Sequence, residues 1–327
     1  MYIFTWITEF LSFSMFIVIL CYLTFNKKDF RSVGQILAGS LFGVTLEYMN
    51  VIVFGTYTYS TYFILQVGPV PDNIPIVIGL SWGLIIWACI KVSNQIGLPT
   101  WSRPFLDGLL ALTIDLSMDT IAIRLDEGFW TWTSIPMESI PTLESFFGVN
   151  WGNFVGWFQV VVIFSILLRL EEHYLKGSGK NGIVISILYF CIIPFFAYIP
   201  LYFGLSYGAI PIQLITGQPI VPIMDIQSPT PGLGLYILLY TLVTALLIQI
   251  FAFAKSKPII SKDFDWITIY VFFSFHITNL VFYLLGGFFS EAPLILVLGI
   301  CMLLIDILIH GIIFDKKQFS ATLFNKS

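Results

Sequence analysis

Long apolar runs separated by short polar segments extend along most of the chain, and this pattern predicts a bundle of transmembrane helices. Nine runs reach the roughly 20 residues that an α-helix needs to cross a bilayer. They lie near residues 5–25, 33–54, 75–95, 104–124, 150–170, 182–204, 233–254, 266–288 and 292–313. Backbone hydrogen bonds must be satisfied within each segment in lipid, so helices are expected. The predicted fold class is therefore all-α, a polytopic bundle of about nine spans.

Composition supports this interpretation. The 327 residues are 57% hydrophobic and only 10% charged, with a mean hydropathy of +0.91. Soluble domains carry about 25% charged residues, so this chain cannot build a solvated surface. No polar stretch is long enough for a soluble domain, and we expect one integral membrane domain over residues 1–327. The expected partners are the lipid bilayer and a hydrophobic substrate, with no nucleic acid.

The basic residues predict an orientation. In a nine-span chain, fourteen of the fifteen Lys and Arg residues fall on one side, with Arg124 as the exception. The positive-inside rule then places the C-terminus in the cytoplasm and the N-terminus outside, in the cell membrane. Lys27, Lys28 and Arg31 follow the first run instead of preceding it, the reverse of a signal peptide, so this helix is expected to be retained.

Three outer connections are unusually long and apolar for water-exposed loops. They cover residues 55–74, 125–149 and 205–231, and they are rich in aromatic residues and proline. Trp and Tyr favour the membrane interface. We therefore expect these segments to fold back over the bundle as a lid or to lie at the interface.

The fourth run carries three aspartates. Asp107, Asp115 and Asp119 are spaced by eight and four residues, which places them on one helical stripe. An ionisable group in the bilayer is costly and indicates a functional site by default. Asp107 is one turn from Arg103, and a structural ion pair is expected there. Asp115 and Asp119 lie deeper, with at most Arg124 as a nearby cation. Two close carboxylates in an apolar setting should not both ionise, so one is expected to hold a proton.

Polar and aromatic residues of three other runs are expected in the same layer as Asp115 and Asp119. They are Glu47 in the second run, Trp82 in the third, and Asn153 and Trp157 in the fifth. Gly152 and Gly156 are one turn apart and predict a strip of close helix packing. Structural hydrogen bonding would explain a single Asn or Trp, but three desolvated carboxylates at one depth favour a functional site.

The last two runs carry a second polar set. His276 and Asn279 are one turn apart, and so are Asp306 and His310. An Asp-x-x-x-His pair on a helix often only orients the imidazole. A metal site needs more ligands than this set supplies, and no metal is expected. The role of the set is left open.

Several short motifs follow one another in a fixed order between about residues 40 and 160. They are Glu47, Gly55-Thr-Tyr57-Thr-Tyr59, VGPVPDNIPI, Trp82, Asp115-Leu-Ser-Met-Asp119, Gly128-Phe-Trp130-Thr-Trp132, and FFGVNWGNFVGW ending at Trp157. This order resembles the carotenoid biosynthesis membrane proteins, which include the CruF-type carotenoid hydratases and the bisanhydrobacterioruberin hydratases. The family-like core is expected at about 33–170, followed by additional helices at 182–313. Thr120 and Asn150 stand where the family's pattern has proline.

The resemblance implies a hydro-lyase that adds water across the terminal double bond of an acyclic carotenoid end group, without a cofactor. Protonating this alkene gives a tertiary carbocation, which needs a strong acid in a dry site beside electron-rich rings. Asp115 or Asp119 would be the acid. Glu47 or the other aspartate would hold the water and take its proton, with Asn153 orienting it. The residues that would stabilise the cation and line the polyene channel are Trp82, Trp130, Trp132, Trp157, Tyr57 and Tyr59.

Other functions remain open. A carotenoid or isoprenoid cyclase would use the same acid but trap the cation with an internal alkene. A membrane prenyltransferase would use an Asp-x-x-x-Asp motif to bind diphosphate through magnesium, but the basic residues are predicted on the opposite side. The non-enzymatic alternative is a transporter or a carotenoid-binding subunit. Association with other membrane enzymes of the carotenoid pathway is also compatible with the resemblance.

Overall fold

The computed structural model describes residues 2–133, 135–175, 179–207, 232–255 and 266–313. Its helices are α1 (Ile3–Cys21), α2 (Phe30–Tyr48), α3 (Ile76–Ile96), α4 (Arg103–Ala122), α5 (Trp151–Leu175), α6 (Gly179–Phe196), α7 (Tyr198–Tyr207), α8 (Leu233–Lys255), α9 (Trp266–Gly286) and α10 (Pro293–Ile313). Helices α1 and α2 each continue into a π-helical turn, Tyr22–Lys27 and Met49–Val53. Most of the predicted outer connection 205–231 lies outside the described residues.

The helices match the nine predicted runs, and the all-α fold class is confirmed. Eight helical segments in the described part of the chain are long and apolar enough to cross a membrane, with α6 and α7 forming one of them at Val184–Phe203. The remaining predicted run, the fourth along the chain, is α4, which has 20 residues. It is less apolar than the other eight because it carries three aspartates. Helix α4 packs against α3, α5, α8, α9 and α10, and most of its residues are buried. An acidic helix is thus enclosed by apolar ones.

The segments that follow α2 and α4 fold back over the bundle and pair with each other. Strand β1 (Tyr57–Tyr59) lies antiparallel to β4 (Trp130–Trp132), with Tyr57 opposite Trp132 and Tyr59 opposite Trp130. The two short hairpins are formed by β2 (Gln66–Val67) with β3 (Ile74–Pro75) and by β5 (Ser145–Phe146) with β6 (Val149–Asn150). Side chains alternate between the two faces of a strand, so the four aromatic residues of β1 and β4 are buried while the threonines between them are exposed. The predicted folding back is confirmed for these segments.

Helices α2 and α3 approach each other closely at glycines. A Cβ atom added at Gly83 would lie 2.4 Å from the carbonyl oxygen of Ile36 and 2.2 Å from Ser40 Oγ. One added at Gly39 would lie 2.9 Å from the Cα atom of Gly83. Small residues let helix backbones meet in this way. The contact fixes the relative position of α2, which carries Glu47, and α3, which carries Trp82.

By contrast, the predicted packing strip on α5 is wrong for Gly156. A Cβ added at this residue would meet no atom within 4 Å among the described residues. Gly156 therefore faces open space, and it lines a small cavity that is described below.

The predicted ion pair between Asp107 and Arg103 is also wrong. Asp107 Oδ2 lies 2.8 Å from Arg169 Nη2 on α5 and accepts a 2.5 Å hydrogen bond from Ser165. Arg103 instead donates to the carbonyl oxygen of Leu98 and to Asn94. A buried carboxylate needs a partner, and a neighbouring helix supplied one that helical spacing alone does not reveal. Asp107 keeps a structural role away from the outer segments.

Candidate functional site

Glu47 is held by three donors from the paired strands and from α3. Its Oε2 atom accepts hydrogen bonds from the hydroxyl groups of Tyr57 and Tyr59, the latter at 2.7 Å. Its Oε1 atom accepts a 2.9 Å hydrogen bond from the indole of Trp82. Burial and the negative charge of Glu47 raise the pKa of Tyr57 and Tyr59 well above the usual value, so both hydroxyls stay protonated donors. Three of the roughly four acceptor positions of the carboxylate are thus filled.

Asp115 and Asp119 meet the side chain of Asn153 from α5. The Nδ2 atom of Asn153 lies 2.7 Å from Asp119 Oδ2 and 3.4 Å from each carboxylate oxygen of Asp115. The same amide nitrogen thus contacts both carboxyl groups. Both aspartates are buried, and neither forms an ion pair with a described cation. Two buried carboxyl groups that share one site should not both be ionised, so one of them is expected to be neutral.

Arg124 does not approach this pair. It binds the carbonyl oxygens of Thr120, Phe147 and Glu138 and lies 3.2 Å from Glu291. Its role is to fasten the segment after β4 to the end of α4. Arg124 was the one cation that the sequence placed near Asp115 and Asp119, and its hydrogen bonds and ion pair go to other residues.

A cavity of about 440 Å³ lies in front of these groups. Nine of the ten residues predicted for the site line it: Glu47, Asp119, Asn153, Tyr57, Tyr59, Trp82, Trp130, Trp132 and Trp157. The tenth, Asp115, does not reach the cavity and lies behind Asp119 and Asn153. The structure thus separates the two aspartates, which sequence spacing treats alike. Asp119 faces the space and Asp115 supports it.

Two tryptophans form one wall of the cavity. The rings of Trp82 and Trp157 have centroids 4.1 Å apart, and the indole of Trp82 is fixed by its bond to Glu47. Tyr57 packs edge to face on Trp132, and Tyr59 packs in the same way on Trp130. Electron-rich ring faces therefore border the acidic groups.

The edge of the cavity lies between α1 and α9, which contact each other only sparsely. Leu11 on α1 and Tyr270 and Ile277 on α9 line this edge, and they are 44%, 40% and 49% exposed. All three lie on helices that are apolar enough to face lipid. The cavity therefore extends from the acidic groups to partly exposed side chains between α1 and α9.

Helix α9 supplies residues that the sequence analysis did not place in the site. Phe273, Ser274 and Asn279 line the cavity opposite the carboxylates. Asn279 is 7% exposed, and its Nδ2 atom has no acceptor among the described residues. The sequence predicted a helix with polar residues at this position, but it did not show which of these residues line the cavity.

The other three residues of the second polar set, His276, Asp306 and His310, form a separate cluster between α9 and α10. His276 Nε2 lies 2.8 Å from Asp306 Oδ2, and both side chains are fully buried. His310 Nδ1 instead lies 2.9 Å from the backbone carbonyl oxygen of Asp306. The carboxylate thus pairs across two helices and does not orient the imidazole one turn away.

These features define a polytopic helical membrane protein in which buried carboxylates and aromatic rings enclose a cavity open to apolar molecules. The chain belongs to the carotenoid biosynthesis protein family, whose sequence profile matches residues 8–217. It therefore has a role in carotenoid biosynthesis. The match includes every predicted site residue, while α8, α9 and α10 follow it. No curated protein and no solved structure is significantly similar to the chain.

Proposed function

We propose that the protein is a carotenoid hydratase, a hydro-lyase that adds water to the terminal double bond of an acyclic carotenoid end group. The observation that carries this proposal is the meeting of Asp119, Glu47 and Asn153 with the tryptophan wall at one apolar cavity. A volume of 440 Å³ falls within the roughly 300–1,000 Å³ range of small-molecule sites. It suits an end group, while the remaining polyene extends between α1 and α9 into lipid.

Asp119 is the proposed acid because it is the aspartate that faces the cavity. Its proton is transferred to one alkene carbon, the π electron pair forms the new C–H bond, and the other carbon becomes a tertiary cation. Asp115 acts as a positioning residue: together with Asn153, whose amide contacts both aspartates, it fixes the orientation of the Asp119 carboxyl group. Burial away from any described cation favours the neutral form of the acid. General acid catalysis of this kind contributes about 10²–10⁴-fold in rate.

Glu47 is the proposed acceptor for the proton of water. The oxygen of water attacks the cation and forms the C–O bond, and one of its protons then moves to Glu47. The remaining acceptor position of the carboxylate can hold that water before the attack. A proton returned from Glu47 to Asp119 completes the cycle, so the reaction adds one water and needs no redox partner.

The tryptophan wall is proposed to stabilise the cation between these two steps. The face of an indole attracts a cation more strongly than the faces of other aromatic side chains do. Trp82 and Trp157 lie directly beside Glu47 and Asn153, where the charge would develop. A cyclase would use the same acid and the same rings, and product analysis separates the two reactions.

The proposed topology places the N-terminus outside and the C-terminus in the cytoplasm of the cell membrane, with the strands on the outer side. It is supported by the distribution of the basic residues along the chain. Reporter fusions at both termini test it: a periplasmic or extracellular reporter active at the C-terminus would contradict it. Association with other pathway enzymes is proposed on the family membership alone.

Expression in a lycopene-producing host tests the function. The wild-type chain should yield a hydroxylated acyclic carotenoid, and Asp119→Asn should not. A cyclised pigment would identify a cyclase instead. The absence of any new pigment from well-expressed wild-type protein would contradict the hydratase proposal. Unchanged hydroxylation by both Asp115→Asn and Asp119→Asn would contradict the acid role of the aspartates.

A further inference from the structure

A second, smaller cavity of about 100 Å³ lies on the opposite side of the wall formed by Glu47, Trp82 and Trp157. These three residues line both cavities, together with Tyr57, Trp132 and Asn153. The residues that line only the smaller cavity are Asn50, Thr56, Gly152 and Gly156, together with the apolar Leu46, Phe54, Val160 and Leu201. The acceptor and the amide of the site therefore face two separate spaces.

The size and lining of the smaller cavity suit water. A water needs roughly 10–15 Å³ of such space, so 100 Å³ holds several waters. A water also needs two to four polar partners. Glu47, Asn50, Thr56 and Asn153 supply them, and Asn50 Nδ2 lies 3.4 Å from the hydroxyl oxygen of Tyr57. The space is less than a quarter of the volume of the main cavity, 100 Å³ against 440 Å³.

Trp132 gives an independent indication of a ligand. Its side chain lies between the two cavities and the residue is only 8% exposed, yet its Nε1 atom has no acceptor among the described residues. Buried indole N–H groups usually find a partner, and an unsatisfied one points to an ordered water. A hydrocarbon could not satisfy this donor.

The smaller cavity also reaches the protein surface. Phe54, at the end of the second π-helical turn, lines it and is 43% exposed. Thr56, beside it, donates to the carbonyl oxygen of Asn50. The cavity thus runs from the surface at residues 54–56 to Glu47 and Asn153, on a different side from the edge between α1 and α9.

We propose that this smaller cavity is the water compartment of the enzyme, which delivers the reactant water to Glu47 and Asn153 while the carotenoid end group occupies the larger cavity. This inference rests on the proposed hydratase function. The separation solves a physical problem, because the cation needs a dry site until it forms but the reaction consumes a water. Water delivered across the wall reaches the cation from the side of Glu47.

Gly156→Leu tests the inference, since a side chain at this position enters the smaller cavity without an initial clash. The matched control is Gly311→Leu on α10, where an added Cβ also meets no described atom within 4 Å. The protein is assayed with an acyclic carotenoid in D₂O. Protonation followed by loss of a proton puts deuterium into unhydrated carotenoid, whereas attack by water gives the hydroxylated product.

If the compartment supplies water, Gly156→Leu lowers the ratio of hydroxylated product to deuterated, unhydrated carotenoid by at least about tenfold, and Gly311→Leu leaves it unchanged. An unchanged ratio in Gly156→Leu would overturn the inference. If carotenoid binding is also weakened while the ratio stays unchanged, the smaller cavity holds part of the polyene instead of water. If Gly156→Leu fails to fold, Gly156→Ala and Asn50→Leu provide the same comparison, with a smaller decrease expected for the alanine variant.

The two levels of the proposal fail differently. A wild-type protein that never yields hydroxylated product contradicts the hydratase function itself. A wild-type protein that hydrates, combined with a Gly156→Leu protein that hydrates with the same ratio, contradicts the water compartment alone.

Discussion

The amide of Asn153 donates a 2.7 Å hydrogen bond to Asp119, joining the first turn of α5 to the outer half of α4. The same nitrogen lies 3.4 Å from both carboxylate oxygens of Asp115. One side chain therefore holds two buried acids together at the point where only one of them faces the cavity. We propose on this basis that Asp119 is the proton donor and that Asp115 supports it.

Replacing Asn153 by Ala should lower the hydration rate about 10–100-fold, because Asp119 loses its only neutral donor among the described residues and the pair loses its alignment. Initial rates with purified protein measure the effect. The control is Gln159→Ala on the same helix, which lines neither cavity. Equal rates for Asn153→Ala and the control would contradict the role of Asn153.

The tyrosine clamp on Glu47 gives a prediction for stability and rate together. Tyr57→Phe and Tyr59→Phe each remove one hydrogen bond to a buried carboxylate, a loss of about 1.5–3 kcal/mol. We expect a lower thermal unfolding temperature in detergent and a lower rate for each. Tyr202→Phe is the control because this residue is 52% exposed. Full activity in the double variant Tyr57→Phe/Tyr59→Phe would remove Glu47 from the mechanism.

The tryptophan wall predicts a graded series. If Trp157 stabilises a cation, Trp157→Phe should lose part of the rate and Trp157→Leu more, although both keep an apolar surface. A cation–π contribution of about 0.5–2 kcal/mol corresponds to roughly 2–30-fold. Trp101→Phe, a substitution at a 51% exposed tryptophan outside the site, serves as the control. Equal rates for the Phe and Leu variants of Trp157 would indicate packing alone.

The glycine contact between α2 and α3 predicts a structural effect. Gly83→Ala places a methyl group against the backbone of α2, and neither helix can shift freely, so destabilisation of about 1–3 kcal/mol is expected. The readout is the melting temperature of the purified protein, compared with Gly311→Ala, whose added methyl group meets open space. A melting temperature equal to that of the control would show that the contact is looser than the structure has it.

Much of the fold followed from the sequence because each span is long enough to be read by itself. The apolar runs predicted the helices, but the strands at Tyr57–Tyr59 and Trp130–Trp132 were not predicted. The pairing of these two segments, which are over seventy residues apart, could not be predicted from the sequence. Nothing local to either motif specifies the other as its partner.

The sequence predicted which residues belong to the candidate site but not how they contact one another. Depth along a helix placed Asp115 and Asp119 together, and only packing against α5 shows which of them reaches the cavity. The pairings of Asp107 with Arg169 and of His276 with Asp306 were missed for the same reason. Helical spacing relates residues one turn apart, whereas buried charges are satisfied by whichever helix packs against them.

Isotope labelling tests the central proposal most directly. Purified protein is incubated with an acyclic carotenoid in H₂¹⁸O, and the product is analysed by mass spectrometry for the wild-type, Asp115→Asn and Asp119→Asn proteins. The wild-type product should carry one ¹⁸O in a tertiary hydroxyl group, Asp119→Asn should lose about 10²–10⁴-fold of this activity, and Asp115→Asn should lose less. Absence of labelled hydroxyl from the wild-type product, or equal labelling by Asp119→Asn, would contradict the proposal.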